Sequence, residues 1–211
     1  LAINFSGSDN GSATGDQVIY PIGAQMNPAE GTVAFWYRPH YDQNDGSALT
    51  LIIGAKDRND LPYNVYGEFE PITSGRVTLA WFGWGGRKFF QAAVLEYGST
   101  WESTNYWIDA FTPNENQADR VYFAAEQWMH MAIVWKSDGI AALGGKTLAL
   151  LINGKVVASA DQQFSPSYPL KQYLVVGGQQ GGCIFIVNSP IHCYSGASGD
   201  IDELLVYNYA K

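Results

Sequence analysis

The sequence has few charged residues, no helical pattern and no long apolar run. Charged residues make up 15% of the 211, with 12 Lys and Arg against 20 Asp and Glu, for a net charge of −8. The basic residues are not clustered, which argues against nucleic acid and anionic membrane as partners. No apolar run reaches the roughly 18 residues of a membrane-spanning helix, so no membrane insertion is expected. The best helical pattern, near residues 124–128, is one turn at most.

Cysteine is also scarce, with only Cys183 and Cys193 in the segment CIFIVNSPIHC. The turn residues Asn188, Ser189 and Pro190 lie near the centre of this segment, so two short strands would bring the cysteines opposite each other. A disulfide of this kind implies an oxidising compartment, and hence an extracellular, cell-surface or virion-associated chain. The alternative is a pair of buried free thiols.

Aromatic residues and glycine are abundant, at 14% and 23 residues. Short alternating or apolar segments recur along the chain, and the pairs Gly85-Gly86 and Asn153-Gly154 are tight hairpin signals between them. The predicted strands lie at 31–39, 48–55, 75–84, 87–96, 127–136, 147–160, 172–178 and 201–208. About a dozen strands without helices predict an all-β fold, a two-sheet antiparallel β-sandwich or jelly roll, as a single domain over residues 1–211.

One segment lacks this pattern of short strands and tight turns. Residues 96–119 are polar and rich in aromatics, and they predict a long loop. Loops of this length inside a compact domain are usually functional or disordered, and the aromatic content argues against disorder.

Three motifs occur in the order EGTVAFWYRP, then WMHMAIVWK with TLALLINGKVVAS, then VVGG with GDIDELLVYNYAK. Together they resemble the laminin-G-like, or concanavalin A-like lectin/glucanase, superfamily over most of the chain. The resemblance implies a jelly roll of two curved antiparallel sheets. It does not decide function, because one fold supports lectins, adhesion modules, enzymes and structural domains.

The stretch GDIDELLVYN predicts a strand whose acidic start is exposed and whose apolar end is buried. The resemblance implies a structural Ca²⁺ held by Asp202, with main-chain carbonyl groups of Gly31 and Ser6, and Ca²⁺ accepts such oxygen ligands. Asp200 is the weaker candidate. The alternative is that Asp202 accepts hydrogen bonds from main-chain amides at the sheet end.

Catalytic patterns are weak. Glu68 and Glu70 share a strand face as a glycosidase pair would, but Pro71 follows at once and no third acid is in register. His130 is a candidate base for a lyase, although packing explains it as well. No zinc-binding spacing is present. We therefore expect a chain that is not an enzyme.

The favoured function is a non-catalytic, lectin-like module that binds glycan or attaches to a surface. Its predicted sugar-binding residues are Trp84, Trp101, Tyr106 and Trp107, whereas Trp36, Trp128 and Trp135 are predicted to lie in the core. The alternative is a structural domain of a virion, filament or appendage that packs on neighbouring chains through the aromatic segment.

Overall fold

The computed structural model describes residues 2–6, 18–22, 26–42, 49–56, 76–84, 87–95, 107–111, 121–161, 173–177, 183–184, 192–193 and 195–211, some strand residues by main chain alone. These ranges form an all-β, two-sheet antiparallel sandwich of the jelly-roll, concanavalin A-like type. The predicted fold class is thus confirmed. That the chain is one domain over residues 1–211 stays a prediction.

The first sheet has six strands in the order β1-β15-β3-β8-β9-β10. They are β1 (Ile3–Ser6), β15 (Ser198–Tyr207), β3 (Glu30–Pro39), β8 (Met129–Ile140), β9 (Lys146–Ile152) and β10 (Lys155–Ala160). A 3-10 turn, Ala141–Leu143, joins β8 to β9. The turn between β9 and β10 contains Asn153 and Gly154, both at positive φ, as the Asn-Gly pair predicts.

The second sheet has the order β2-β11-β4-β5-β6-β7, with β14 pairing in parallel with β4. The strands are β2 (Val18–Pro21), β11 (Tyr173–Val176), β4 (Leu49–Lys56), β5 (Arg76–Trp84), β6 (Arg87–Leu95), β7 (Trp107–Phe111) and β14 (Ser195–Gly196). β12 (Cys183–Ile184) and β13 (His192–Cys193) pair separately. Strand β7 corrects the sequence interpretation, because the segment predicted as one long loop contributes a strand to this sheet.

The core lies between the two sheets and is rich in aromatic side chains. Trp81 stands at its centre, with ring centroids of Phe90 and Phe123 at 4.8 and 4.9 Å. Trp135 is fully buried, as predicted, and its indole Nε1 donates to the carbonyl oxygen of Asn27 at 3.2 Å. Within the described ranges, no helix has the length and apolar character needed to cross a membrane.

Candidate functional site

The outer face of the six-stranded sheet carries two exposed tryptophans. Along β3, Phe35 and Tyr37 point into the core and are fully buried, whereas Trp36 between them is 37% exposed. Trp128, just before β8, is 39% exposed. The prediction that Trp36 and Trp128 are core residues was therefore wrong, because strand alternation sends Trp36 to the outer face.

Strand register determines the neighbours of Trp36. It lies opposite His130 on β8 and Asp202 on β15, and cross-strand partners share a sheet face. The rings of Trp36 and His130 meet edge to face, with centroids 5.4 Å apart. The main chain of His130 is fixed from the other side, since its N–H donates to Asn153 Oδ1 at 2.9 Å.

Two residues further along β3, Arg38 lies opposite Asp200 on β15. The side chain of Asp200 is only 4% exposed, and its Oδ2 accepts a hydrogen bond from Arg38 Nε at 2.6 Å. Arg38 Nη2 is also in ion-pair contact with it. Asn4 Nδ2 donates to Oδ1 at 2.7 Å, and His40 Nε2 lies 3.4 Å from Oδ2. Asp200 is thus the buried centre of a polar cluster.

Opposing effects act on the pKa of Asp200. Burial raises it, but the hydrogen bonds with Asn4, Arg38 and His40 and the charge of Arg38 lower it, and the net result is below the ordinary value. The carboxyl is therefore ionised at neutral pH. A carboxylate in this state orients Arg38 and lacks the proton that a general acid has to supply.

Arg38 connects this cluster to Trp128. Its guanidinium carbon lies 5.3 Å from the Trp128 ring centroid, and its Nε is 3.7 Å from Glu126 Oε2. Glu126 has a positive φ of 63°, and its N–H donates to the carbonyl of Pro39 at 2.8 Å. This turn holds Trp128 beside the end of β3. We call Trp36, Arg38, Trp128 and His130 the aromatic patch.

Two of the residues predicted to bind sugar are described, and they lie away from the aromatic patch. Trp84 and Trp107 lie in strands of the other sheet, opposite Arg87 and Ala93 of β6. Arg87 and Ala93 are six residues apart along β6, roughly 20 Å at the usual strand rise. The structure therefore does not bring Trp84 and Trp107 together. Trp101 and Tyr106 lie outside the described residues.

The proposed calcium ligands are also separated. Gly31 and Trp36 are five residues apart on β3, so Asp202, opposite Trp36, lies roughly 17 Å along the sheet from Gly31. Ser6 pairs with Ser198, about 13 Å along β15 from Asp202. Calcium–oxygen distances are about 2.3–2.6 Å, so these three residues do not fit one ion.

Asp202 makes a hydrogen bond of the kind that the alternative role requires. Its Oδ1 accepts a hydrogen bond from the N–H of Glu203 at 2.9 Å, at a β-bulge where Glu203 has a φ of 51°. No group of three or more His, Cys, Asp or Glu side chains gathers into a metal site in the part of the chain that the structure describes.

The burial along β15 is the reverse of the prediction. Asp200 and Ile201 are buried, whereas Leu205 and Val206 are 46% and 38% exposed. The strand begins buried and ends exposed, because β1 covers its start and the bulge follows.

The two cysteines face each other across an antiparallel pair, with Cys183 opposite Cys193. This is the backbone register that the predicted bridge requires. Glu68 and Glu70 lie outside the described residues.

Comparison with known proteins supports the fold alone. No protein-family model and no curated protein matches the sequence. The structure resembles the native heptameric SAP-like pentraxin from Limulus polyphemus, with a TM-score of 0.55 and 14% identity, covering 100% of this chain and 76% of the pentraxin chain. It also resembles the binding domain of botulinum neurotoxin serotype C1, with a TM-score of 0.54 and 12% identity, covering 93% of this chain and 38% of that one.

A third likeness is to a conserved carbohydrate esterase from the Shiga toxin-encoding bacteriophage phi24B. It covers 100% of this chain and 90% of the esterase chain, with 12% identity and a TM-score of 0.43. A likeness at that score carries no argument about function. The first two agree with the concanavalin A-like resemblance at the level of the β-sandwich.

Sequence reasoning missed the aromatic patch, although part of its pattern was visible. The alternation in GTVAFWYRP puts Val33, Phe35 and Tyr37 on one face of β3 and sends Trp36 and Arg38 to the opposite face. An exposed Trp beside an Arg on the outer face of a sheet is the pattern that would have identified the site. The contact with Asp200 has no comparable local pattern.

Proposed function

We propose that this chain is a non-catalytic β-sandwich module that binds glycan through the aromatic patch. The observation that carries the proposal is the pair of exposed rings, Trp36 and Trp128, beside an arginine that a buried carboxylate holds in place. Indole faces stack on the C–H faces of sugar rings, and a fixed guanidinium donates hydrogen bonds to hydroxyl groups. Preorganised side chains of this kind bind at a lower entropic cost than mobile ones.

Local charge favours a neutral glycan. Arg38 is accompanied by Asp200, Asp202 and Glu126, so carboxylates outnumber guanidinium groups around the patch by three to one. The whole chain also has a net charge of −8. Like charges disfavour acidic sugars such as uronates, whereas hydroxyl groups can bind both the arginine and the carboxylates.

Binding should depend on both tryptophans. We expect Trp36→Ala and Trp128→Ala each to weaken affinity for a neutral oligosaccharide at least about tenfold, as for aromatic residues at binding hot spots. An array of neutral and acidic glycans would identify the ligand, and titration calorimetry would measure the affinities. Ile19→Ala is the matched control, because Ile19 is 41% exposed on the other sheet.

The alternative role is packing on a neighbouring chain. Concentration-dependent self-association that Trp36→Ala abolishes, with no glycan bound, would support that role and contradict glycan binding. Glycan binding that both tryptophan variants retain would contradict the proposed site.

We also propose a Cys183–Cys193 disulfide and an oxidising location, outside the cell or on a cell or virion surface. The opposed register of the two residues supports the bridge. The entropic model gives about 2–3 kcal/mol for closing a loop of this size. Labelling of denatured, unreduced protein should find no free thiol, and reduction should lower the melting temperature. Two free thiols would rule the bridge out.

For Asp202 we propose the hydrogen-bonding role, with calcium binding as the competing one. Asp202→Asn keeps an oxygen that can accept from Glu203 N–H, so it should be nearly neutral, whereas Asp202→Ala should cost about 1 kcal/mol, the usual net value of one intramolecular hydrogen bond. Thermal unfolding of metal-free protein with and without millimolar Ca²⁺ separates the two roles. A rise of several degrees with Ca²⁺, lost equally in both variants, would favour calcium.

A further inference from the structure

Aromatic side chains on the outer face of the six-stranded sheet extend beyond the aromatic patch. Trp36 and Thr32 are four residues apart on β3, so both point to this face, roughly 13 Å from each other at the usual strand rise. Tyr207 on β15 lies opposite Thr32, and cross-strand partners share a face. The outer face therefore has a second aromatic position along the line of β3.

Tyr209 enlarges this second position. Its ring centroid is 5.4 Å from that of Tyr207, and Tyr209 is 47% exposed. The Thr32 hydroxyl fixes the segment here, because it donates to the Tyr209 carbonyl oxygen at 3.1 Å and accepts from the Lys211 N–H at 3.0 Å. We call Tyr207, Tyr209 and Lys211 the tyrosine cluster.

Both ends of this face combine an aromatic ring with a cationic donor. In the tyrosine cluster, Lys211 Nζ lies 4.4 Å from the centroid of the Tyr207 ring and donates to its hydroxyl oxygen at 3.1 Å. In the aromatic patch, the guanidinium carbon of Arg38 lies 5.3 Å from the Trp128 ring centroid. Ring faces supply apolar contact and the cations supply hydrogen-bond donors that orient a ligand. The tyrosine cluster therefore has the same chemistry as the aromatic patch.

The row of side chains between the two ends is uncharged. It crosses four paired strands and consists of Leu205, Ala34, Ala132 and Leu151. Leu205 is 46% exposed, whereas Ala34 and Ala132 are nearly buried between larger neighbours. Short side chains keep the middle of the face low, so a chain lying over it can contact the rings at both ends.

We propose that the ligand of this face is a linear neutral polysaccharide, an extended chain of the cellulose type bound along β3 from the aromatic patch to the tyrosine cluster. This ligand class rests on the proposed glycan function and adds the length and shape of the glycan. The distance between the Trp36 and Tyr207 rows exceeds one sugar ring, so a short glycan contacts only one end. An extended ribbon follows the line of a strand, whereas a helical glycan of the amylose type curves away from it.

Titration calorimetry with cello-oligosaccharides, from the disaccharide to the hexasaccharide, tests the length. Once one end is bound, contacts of the other end are intramolecular, so affinity should rise at least about tenfold along this series. Maltohexaose should bind more weakly than cellohexaose, because it cannot engage both ends. Equal affinity for cellobiose and cellohexaose, or a preference for maltohexaose, would overturn the extended chain and leave the proposed glycan function standing. Absence of binding to any glycan would contradict both.

Tyr209→Ala locates the second end of the bound chain. It removes the exposed ring but keeps the main-chain carbonyl that Thr32 binds, so the segment should stay in place. We expect at least about fivefold weaker binding of cellohexaose and cellobiose affinity within about twofold of wild type, since the disaccharide needs only the aromatic patch. Trp36→Ala should weaken both, and Tyr209→Phe, which keeps the ring, should retain most of the affinity.

Two results would overturn the tyrosine cluster as part of the site. One is unchanged cellohexaose affinity in a folded Tyr209→Ala protein. The other is self-association that Tyr209→Ala abolishes while no glycan binds, which would assign this face to a second copy of the chain.

Discussion

Replacement of Arg38 by methionine is expected to lower the free energy of unfolding by about 3 kcal/mol. Removal of one partner of a buried ion pair costs about 3–5 kcal/mol, because the other charge stays buried. The lower value applies because the Arg38 side chain is 36% exposed, and because Asn4 and His40 still contact Asp200. For a chain of this length, about 3 kcal/mol corresponds to a fall of roughly 6–12 °C in the melting temperature.

A double substitution provides the control. Arg38→Met combined with Asp200→Leu removes both charges, so it should recover a large part of the stability that Arg38→Met alone loses. Urea unfolding measures both variants. A loss below about 1 kcal/mol for Arg38→Met would contradict the assignment of Asp200 as the centre of the cluster.

The effect of Arg38→Met should depend on pH. The pKa of Asp200 is lower in the folded chain than its ordinary value near 3.8. Its contribution to stability is therefore fully present above that value and is lost as the pH falls through the folded pKa. Wild type and variant should differ most at neutral pH and progressively less below about pH 4. A difference that stays constant from pH 7 to pH 3 would contradict this linkage.

Replacement of Gly31 by valine is expected to cost about 3 kcal/mol or more. A Cβ atom at this position would lie 2.6 Å from Trp135 Cη2 and closer still to Cζ2. Trp135 is fully buried and its indole N–H bonds to Asn27, so the ring cannot move aside freely. Overpacking of a tight core typically costs 1–3 kcal/mol, and sometimes more.

Gly145→Ala is the matched control. Gly145 has a positive φ of 89° with nothing within 4 Å of an added Cβ, so its substitution costs only backbone strain, about 1–2 kcal/mol. Trp135→Leu should relieve part of the Gly31→Val cost and give a measurable coupling energy in chemical unfolding. A tolerated Gly31→Val would mean that the ring has room to move.

The close contact between Gly31 and Trp135 bears on the calcium hypothesis. The resemblance assigned Gly31 a main-chain metal contact, whereas the structure gives a steric reason for glycine at this position. The motif contains only the identity of the residue. The reason for glycine becomes visible when β3 packs beside Trp135 of β8.

Patterns of neighbouring residues were sufficient to predict several strands and a hairpin of the fold. The pattern of residues 31–39 predicted a strand, and Asn153-Gly154 predicted the β9–β10 hairpin, because the strand period and turn chemistry are properties of consecutive residues. The opposed cysteines also followed from a turn within a short segment.

The candidate sites depended on contacts between distant parts of the chain. Asn4 and Arg38 meet Asp200 from positions 196 and 162 residues away, through the register of β1, β3 and β15. The same register separates Gly31, Ser6 and Asp202, and it leaves Trp36 and Trp128 exposed side by side with Arg38. The sequence by itself determined that the chain forms strands and hairpins, since these follow from short-range periodicity. Only the tertiary structure decided which side chains meet, because strand order and register are determined by packing across the whole sandwich.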